Sequence, residues 1–192
     1  TGQIDLCVGQ VQPSGRPMAN DVLCHWCSIA KPITAIAIGQ LIDRGVIKVN
    51  APVASYVAEF ARSGKGTVQV AHLLTHTAGL PFINMLYERQ LDGETVDTWW
   101  TRAVELICNS APEWAPGSRC GYSDSAFLML GEIVRRADGR PFTQYVREAI
   151  FEPMGLRDCW IGMPCETFSR YAQAERIAPL MTAGAIMRND DG

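Results

Sequence analysis

No stretch of this chain is long and apolar enough to cross a bilayer. The longest apolar run, 33–42, is interrupted by Thr34, Gly39 and Gln40, and a spanning helix needs roughly 20 apolar residues. A strong charge of either sign is missing too. The formal net charge of −3 gives no electrostatic basis for binding nucleic acid. Internal repeats, low-complexity tracts and a compositional boundary between domains are absent, and no signal peptide or lipidation motif is visible. What remains is one domain of 192 residues, 47% hydrophobic and 19% charged, an ordinary globular balance and long enough to bury a core.

A metal site is equally hard to assemble. Cys24-x-x-Cys27 is half of a zinc motif, but a structural zinc takes four ligands. No second C-x-x-C or H-x-x-x-H follows; His25 is at most a third ligand. The expectation is no metal and no cofactor. The cysteines, at 7, 24, 27, 108, 120, 159 and 165, number seven, so they cannot all pair within one chain. Most sit in apolar or aromatic settings, as buried free thiols do, and the expected compartment is reducing and cytoplasmic.

What the chain does have is Ser28-Ile29-Ala30-Lys31, at the point where a polar segment gives way to an apolar helix. Residues at i and i+3 share a helix face. A serine hydroxyl needs a nearby base to act as nucleophile, and a partly desolvated lysine loses its proton more readily. Taken alone, S-x-x-K better describes a capping serine and a solvated lysine. Two further segments add weight: His72-Leu73-Leu74-Thr75-His76-Thr77-Ala78-Gly79-Leu80-Pro81, and Gly121-Tyr122-Ser123-Asp124-Ser125 opening another apolar helix.

Together these segments resemble the serine β-lactamase and penicillin-binding-protein superfamily, in the branch of class C β-lactamases, D-Ala-D-Ala carboxypeptidases and related esterases. The stretches 41–53 and 151–158 resemble that family's continuation of the first helix and its F-x-P-L-G-M-x-D segment. The resemblance implies an α+β sandwich with a helical region packed on an antiparallel sheet. Residues 1–192 would be the N-terminal and helical portion of a single such domain, its C-terminal strands missing. The family's third motif, a lysine- or histidine-threonine/serine-glycine strand, has no counterpart; Lys65-Gly66-Thr67 has the wrong order and lies too early. A completing chain or an oligomer is therefore an expected partner, since bare sheet edges and apolar faces invite association.

The resemblance assigns Ser28 as nucleophile, with Lys31 and Tyr122 as the other catalytic residues. Asp124 stands where the family has asparagine. An ionised aspartate only accepts hydrogen bonds and would hold Lys31 as an ammonium, shifting the base role to Tyr122 and favouring esters over β-lactams or peptidoglycan. Asp124 also suits a cap of the following helix. Trp114 is the aromatic candidate for an acyl pocket, so Asp124 and Trp114 are the substrate-binding candidates. His72 and His76 receive no chemical role and are expected to satisfy local backbone groups.

The function implied is a serine hydrolase or acyltransferase working through a Ser28 acyl-enzyme on a small-molecule ester or amide/peptidyl substrate. The alternative is a catalytically weak or inactive module of the same kind that binds an acyl or peptidyl ligand or a partner protein. Expected elements are two short strands within 1–23 about a turn at 12–17, helices over 28–44, 70–75, 96–108, 125–136 and 141–150, and loops at 63–66 and 112–121.

Overall fold

The computed structural model describes residues 4–12, 15–83 and 95–179, and the backbone of 181–182 and 185–186. These fall into two compact units: Thr1–Ala30 with Gly155–Gly192, and Lys31–Met154. Most of residues 82–91, whose secondary structure the sequence leaves open, lies outside the described residues.

The Lys31–Met154 unit is built round a helix of 15 residues, Asp124–Asp138. With the other helices numbered along the chain, it is α4, after α1 (Lys31–Asp43), α2 (Val70–Leu74) and α3 (Val96–Asn109), and before α5 (Phe142–Val146). Ala126, Met129, Leu130, Ile133 and Val134 are buried along α4, three or four residues apart as one helix face requires. Thr34, Ala37, Ile38 and Leu41 make the matching stripe on α1, and α4 packs against α1, α2, α3 and α5.

The helix ends show why the elements start and stop where they do. Ser123, not Asp124, caps α4, its Oγ accepting the Ala126 N–H at 3.3 Å. Asp124 is the first helical residue, Arg135 and Arg136 lie in the last turn, and this order of charges matches the helix dipole. Thr95 and Thr98 form a reciprocal capping box at the start of α3. At its other end the wholly buried Lys65 donates through Nζ to the carbonyls of Arg62 and Cys108, each at 2.9 Å, and to that of Ser110. A buried ammonium is tolerated only when so paired. This lysine is a helix cap, which explains its presence outside any strand motif.

The expected helix 28–44 begins instead as a 3-10 turn, Cys27–Ala30, that runs into α1 at Lys31. The backbone at Cys27 is left-handed, with φ of 47°, so regular helix cannot extend through it. The segment 58–64 is two 3-10 turns broken at Ser63, φ 57°. Helix 141–150 is shorter than expected: α5 passes into a π turn, Arg147–Phe151.

In the other unit, the two strands expected near the N-terminus reduce, among the described residues, to one antiparallel bridge, Gln10 to Pro17. Proline has no N–H to extend a ladder. Leu23 pairs in parallel with Ile177, and Arg176 binds Asp21 and Asp158. A helix not anticipated, α6 (Cys165–Gln173), buries only Tyr171, whose hydroxyl donates to Asp158 at 2.6 Å. Among the described residues the one strand ladder is antiparallel, Met181–Thr182 (β1) with Ala185–Ile186 (β2). No described helix is long and apolar enough to cross a membrane.

The cysteines correct an expectation. Cys7, Cys24, Cys27, Cys120 and Cys165 are exposed, Cys159 is half-buried, and only Cys108 is buried. The exposed five belong to loop-rich segments and one helix N-terminus, where there is little core to enter. Burial, reinforced by Glu59, pushes the Cys108 thiol up to about 11.

Candidate active site

Three of the predicted site residues meet inside the Lys31–Met154 unit. Lys31 enters from the first position of α1, Asp124 from the first position of α4, and Tyr122 from the loop two residues earlier. The Lys31 Nζ donates to the Tyr122 Oη at 2.5 Å and to the Asp124 carboxylate. The Tyr122 hydroxyl donates in turn to Asp124 Oδ1 at 3.3 Å, and the ammonium lies 4.7 Å from the tyrosine ring centroid. The Lys31 and Asp124 side chains are only 15% and 30% exposed, whereas Tyr122 is 56% exposed. The ion pair is thus shielded while the phenol remains open to a substrate.

Electrostatics follow from that geometry. Burial pulls the Lys31 pKa down, but hydrogen bonds and charge from Asp124 and Tyr122 outweigh it, and the net shift is upward. Lys31 is an ammonium at neutral pH. It can lend a positive field to Tyr122, but it is poorly disposed to accept a proton itself.

Ser28 occupies the 3-10 turn Cys27–Ala30, three residues before Lys31 in the chain. It belongs to the Thr1–Ala30 portion of the other unit. Beside it, His25 Nδ1 accepts the Cys27 N–H at 3.1 Å and lies 3.1 Å from the Cys27 sulfur. The described residues contain no group of three or more His, Cys, Asp or Glu arranged to hold a metal ion.

Trp114 supports the tyrosine loop from below. A Cβ at Gly121 would stand 2.5 Å from the Trp114 ring, and one at Gly79 would stand 2.4 Å from the Trp114 carbonyl oxygen. Both positions therefore require glycine, the second also for its φ of 74°. The Arg119 guanidinium lies 5.1 Å from the Trp114 ring.

The two histidines do satisfy backbone groups. His72 Nδ1 accepts the Gln69 N–H at 3.1 Å, and His76 Nδ1 accepts the Ser123 N–H at 3.1 Å. Sequence reasoning missed how near the second comes to the site: the His76 ring packs on Tyr122 with centroids 4.8 Å apart. The only available signal was its place in the H-L-L-T-H-T run, which says nothing about a residue 46 positions later.

Comparison with known proteins identifies the family. Esterase EstB of Burkholderia gladioli is 37% identical over 161 residues, covering 76% of this chain and 40% of the esterase. The D-alanyl-D-alanine-carboxypeptidase/endopeptidase AmpH of Escherichia coli (strain K12) is 30% identical over 181 residues, covering 88% of this chain and 45% of AmpH. The chain spans about half the length of these curated relatives, or somewhat less. Among solved structures, a penicillin-binding protein homolog from Caulobacter crescentus superposes with a TM-score of 0.73 at 32% identity, over 92% of this chain and 45% of that one. The family model described as Beta-lactamase matches residues 8–192. With the Lys31–Tyr122–Asp124 cluster formed by the segments that first suggested it, the chain belongs to the β-lactamase family and has its β-lactamase/transpeptidase-like fold.

Proposed function

We propose that this chain carries the nucleophile and proton-transfer groups of a serine hydrolase that works through a Ser28 acyl-enzyme, with esters as its substrate class. The observation that supports this most directly is the Lys31 ammonium seated between the Tyr122 oxygen and Asp124. The phenol ordinarily titrates near pH ~10; a cation donating to its oxygen favours the phenolate. Tyr122 then takes the Ser28 hydroxyl proton as Oγ forms its bond to the acyl carbon. It returns that proton to the leaving alkoxide as the ester C–O bond breaks. In the second half, water attacks the acyl-enzyme, its proton passes to Tyr122, and Ser28 leaves with that proton. An alcohol or amine in place of water gives acyl transfer.

Asp124 acts in this scheme through Lys31 and Tyr122, and, where the family has an amide side chain, offers substrate only an acceptor. That favours esters, whose recognition does not require a donor at this position, and the likeness to an esterase fits it. Trp114 is proposed as a wall of the acyl pocket as well as a support for Gly121. The oxyanion hole would use the backbone N–H of Ser28 and a second donor; that donor, the antiparallel sheet and the edge cover are proposed to come from a completing segment, chain or second copy. A reducing cytoplasmic setting fits the odd number of cysteines, seven.

The test is intact mass after treating the full-length protein with a fluorophosphonate probe, beside Ser28→Ala. A single adduct that disappears in the variant is expected. No adduct on a folded protein would sink the acyl-enzyme reading in favour of a module that binds an acyl or peptidyl ligand or a partner protein.

A further inference from the structure

His76 meets the segment Gly121-Tyr122-Ser123 at three points. Its carbonyl accepts the N–H of Gly121 at 2.9 Å, its Nδ1 accepts the N–H of Ser123 at 3.1 Å, and its ring lies against the phenol ring at 4.8 Å, tilted by 31°. The residues before and after the tyrosine, and the tyrosine ring itself, are thus all held by one side chain and its own peptide. The Phe127 ring of α4 also lies against the imidazole, with centroids 5.1 Å apart. To reach all of these, His76 adopts a left-handed backbone, φ 56°, which is uncommon outside glycine and is kept where surroundings over-determine it.

His72 makes a useful internal contrast. It accepts a backbone N–H in the same way, but the amide belongs to Gln69, at the start of its own short helix. Only His76 reaches across to the Y-S-D segment.

We infer that His76 is the positioning residue for Tyr122, acting as a neutral imidazole with its proton on Nε2. This rests on the proton-transfer role proposed above for Tyr122. The tautomer follows from the hydrogen bond: a ring nitrogen that accepts an amide proton cannot carry one. The charged groups facing the ring are Lys31 from α1 and Asp124 from α4, with the Tyr122 phenol between them. Burial, then the Lys31 charge, pull the His76 pKa below the ordinary histidine value, against Asp124 and the Ser123 hydrogen bond. Protonation in acid would put a proton on the acceptor of Ser123 N–H and a second cation beside Lys31, freeing the Tyr122 loop.

Two variants isolate the acceptor, because both residues tolerate a left-handed backbone. His76→Gly removes ring and acceptor; His76→Asn restores an acceptor near the Nδ1 position. With p-nitrophenyl butyrate and the full-length protein, His76→Gly should lower kcat about 10- to 100-fold, the scale of a misplaced reacting group, with KM changed less than about twofold. His76→Asn should recover most of that loss and move the acid limb of kcat by about one pH unit or more, since its side chain does not titrate. His72→Asn should move neither. A folded His76→Gly with wild-type kcat, or an acid limb unmoved in His76→Asn, overturns the inference. Should the glycine variant not fold, the asparagine variant decides. The 15N shifts of the His76 ring at neutral pH are read independently of turnover, and a proton on Nδ1 overturns it as well. Tyr122→Phe separates the two levels: full activity there refutes the role of Tyr122, while its loss beside unaffected His76 variants refutes only the positioning role.

Discussion

Helix α4 carries an ionic cluster at each end, and the two are built to opposite ends. Near its C-terminus Glu132, 1% exposed, accepts Trp100 Nε1 at 2.7 Å, Arg135 twice at 2.7 Å and Arg136 at 2.6 Å. Arg136 continues to Glu59. There the carboxylate is fully engaged and sits away from solvent. At the N-terminus, eight residues and about 12 Å along the helix, Asp124 holds a lysine whose other partner is a solvent-facing phenol. A closed network of this kind contributes rigidity and order. An open one keeps a group with a variable proton within reach of a ligand. The lesson is that ion pairs on one helix separate into structure and chemistry by what their last hydrogen bond faces.

Breaking each cluster should have different consequences. The largest effect expected is on Lys31→Met, which should lower kcat/KM by about 10²- to 10³-fold, the usual scale for a lost electrostatic stabiliser, while thermal unfolding shifts by only a few degrees. Comparable loss of stability would erase the contrast. Glu132→Ala should do the reverse: specific activity of the folded fraction is retained, and urea titration shows a loss of about 3 kcal/mol from a buried indole N–H left unpaired and the lost Glu132 bonds to Arg135 and Arg136. The pH dependence of that loss has a definite sign. Burial opposes ionisation of Glu132, but Arg135, Trp100 and Arg136 hold its pKa below the ordinary value. The carboxylate therefore adds stability above its unfolded pKa, and the gap between wild type and variant should close as pH falls through the folded one. The smallest effect belongs to Asp124→Asn. Removing the charge that keeps Lys31 protonated should lower the lysine pKa and move the limb of kcat/KM that reports the Lys31–Tyr122 pair down by about one unit or more. An unmoved profile would mean that Asp124 serves only the helix.

Much of the helical unit was legible because its signals are local. The stripes on α1 and α4 repeat every three or four residues, Gly139 follows α4, and the cluster residues lie in motifs of fixed spacing. What was not legible depends on groups meeting from far apart. Lysine at 65 is ordinarily a surface residue, and nothing in Lys65-Gly66-Thr67 announces that the carbonyls of 62, 108 and 110 converge on it. Helix α6 has one buried residue, too few for a period. The choice of Ser123 over Asp124 as cap is a matter of one residue between two good candidates, decided by which backbone turns extended. The cysteines misled because apolar neighbours in sequence do not ensure core in space.

Lysines are rare enough here to be taken one by one: Lys31, Lys48 and Lys65 are the full set in the sequence. Lys48 stands in solvent, Lys31 is clamped in the cluster, and Lys65 is sealed beneath the end of α3. To an amine-acylating reagent the folded molecule thus offers three different answers: immediate modification, modification governed by the site's occupancy, and none at all until the fold opens. The lysine that caps α3 is a natural clock for global opening, and the exposed one its internal standard.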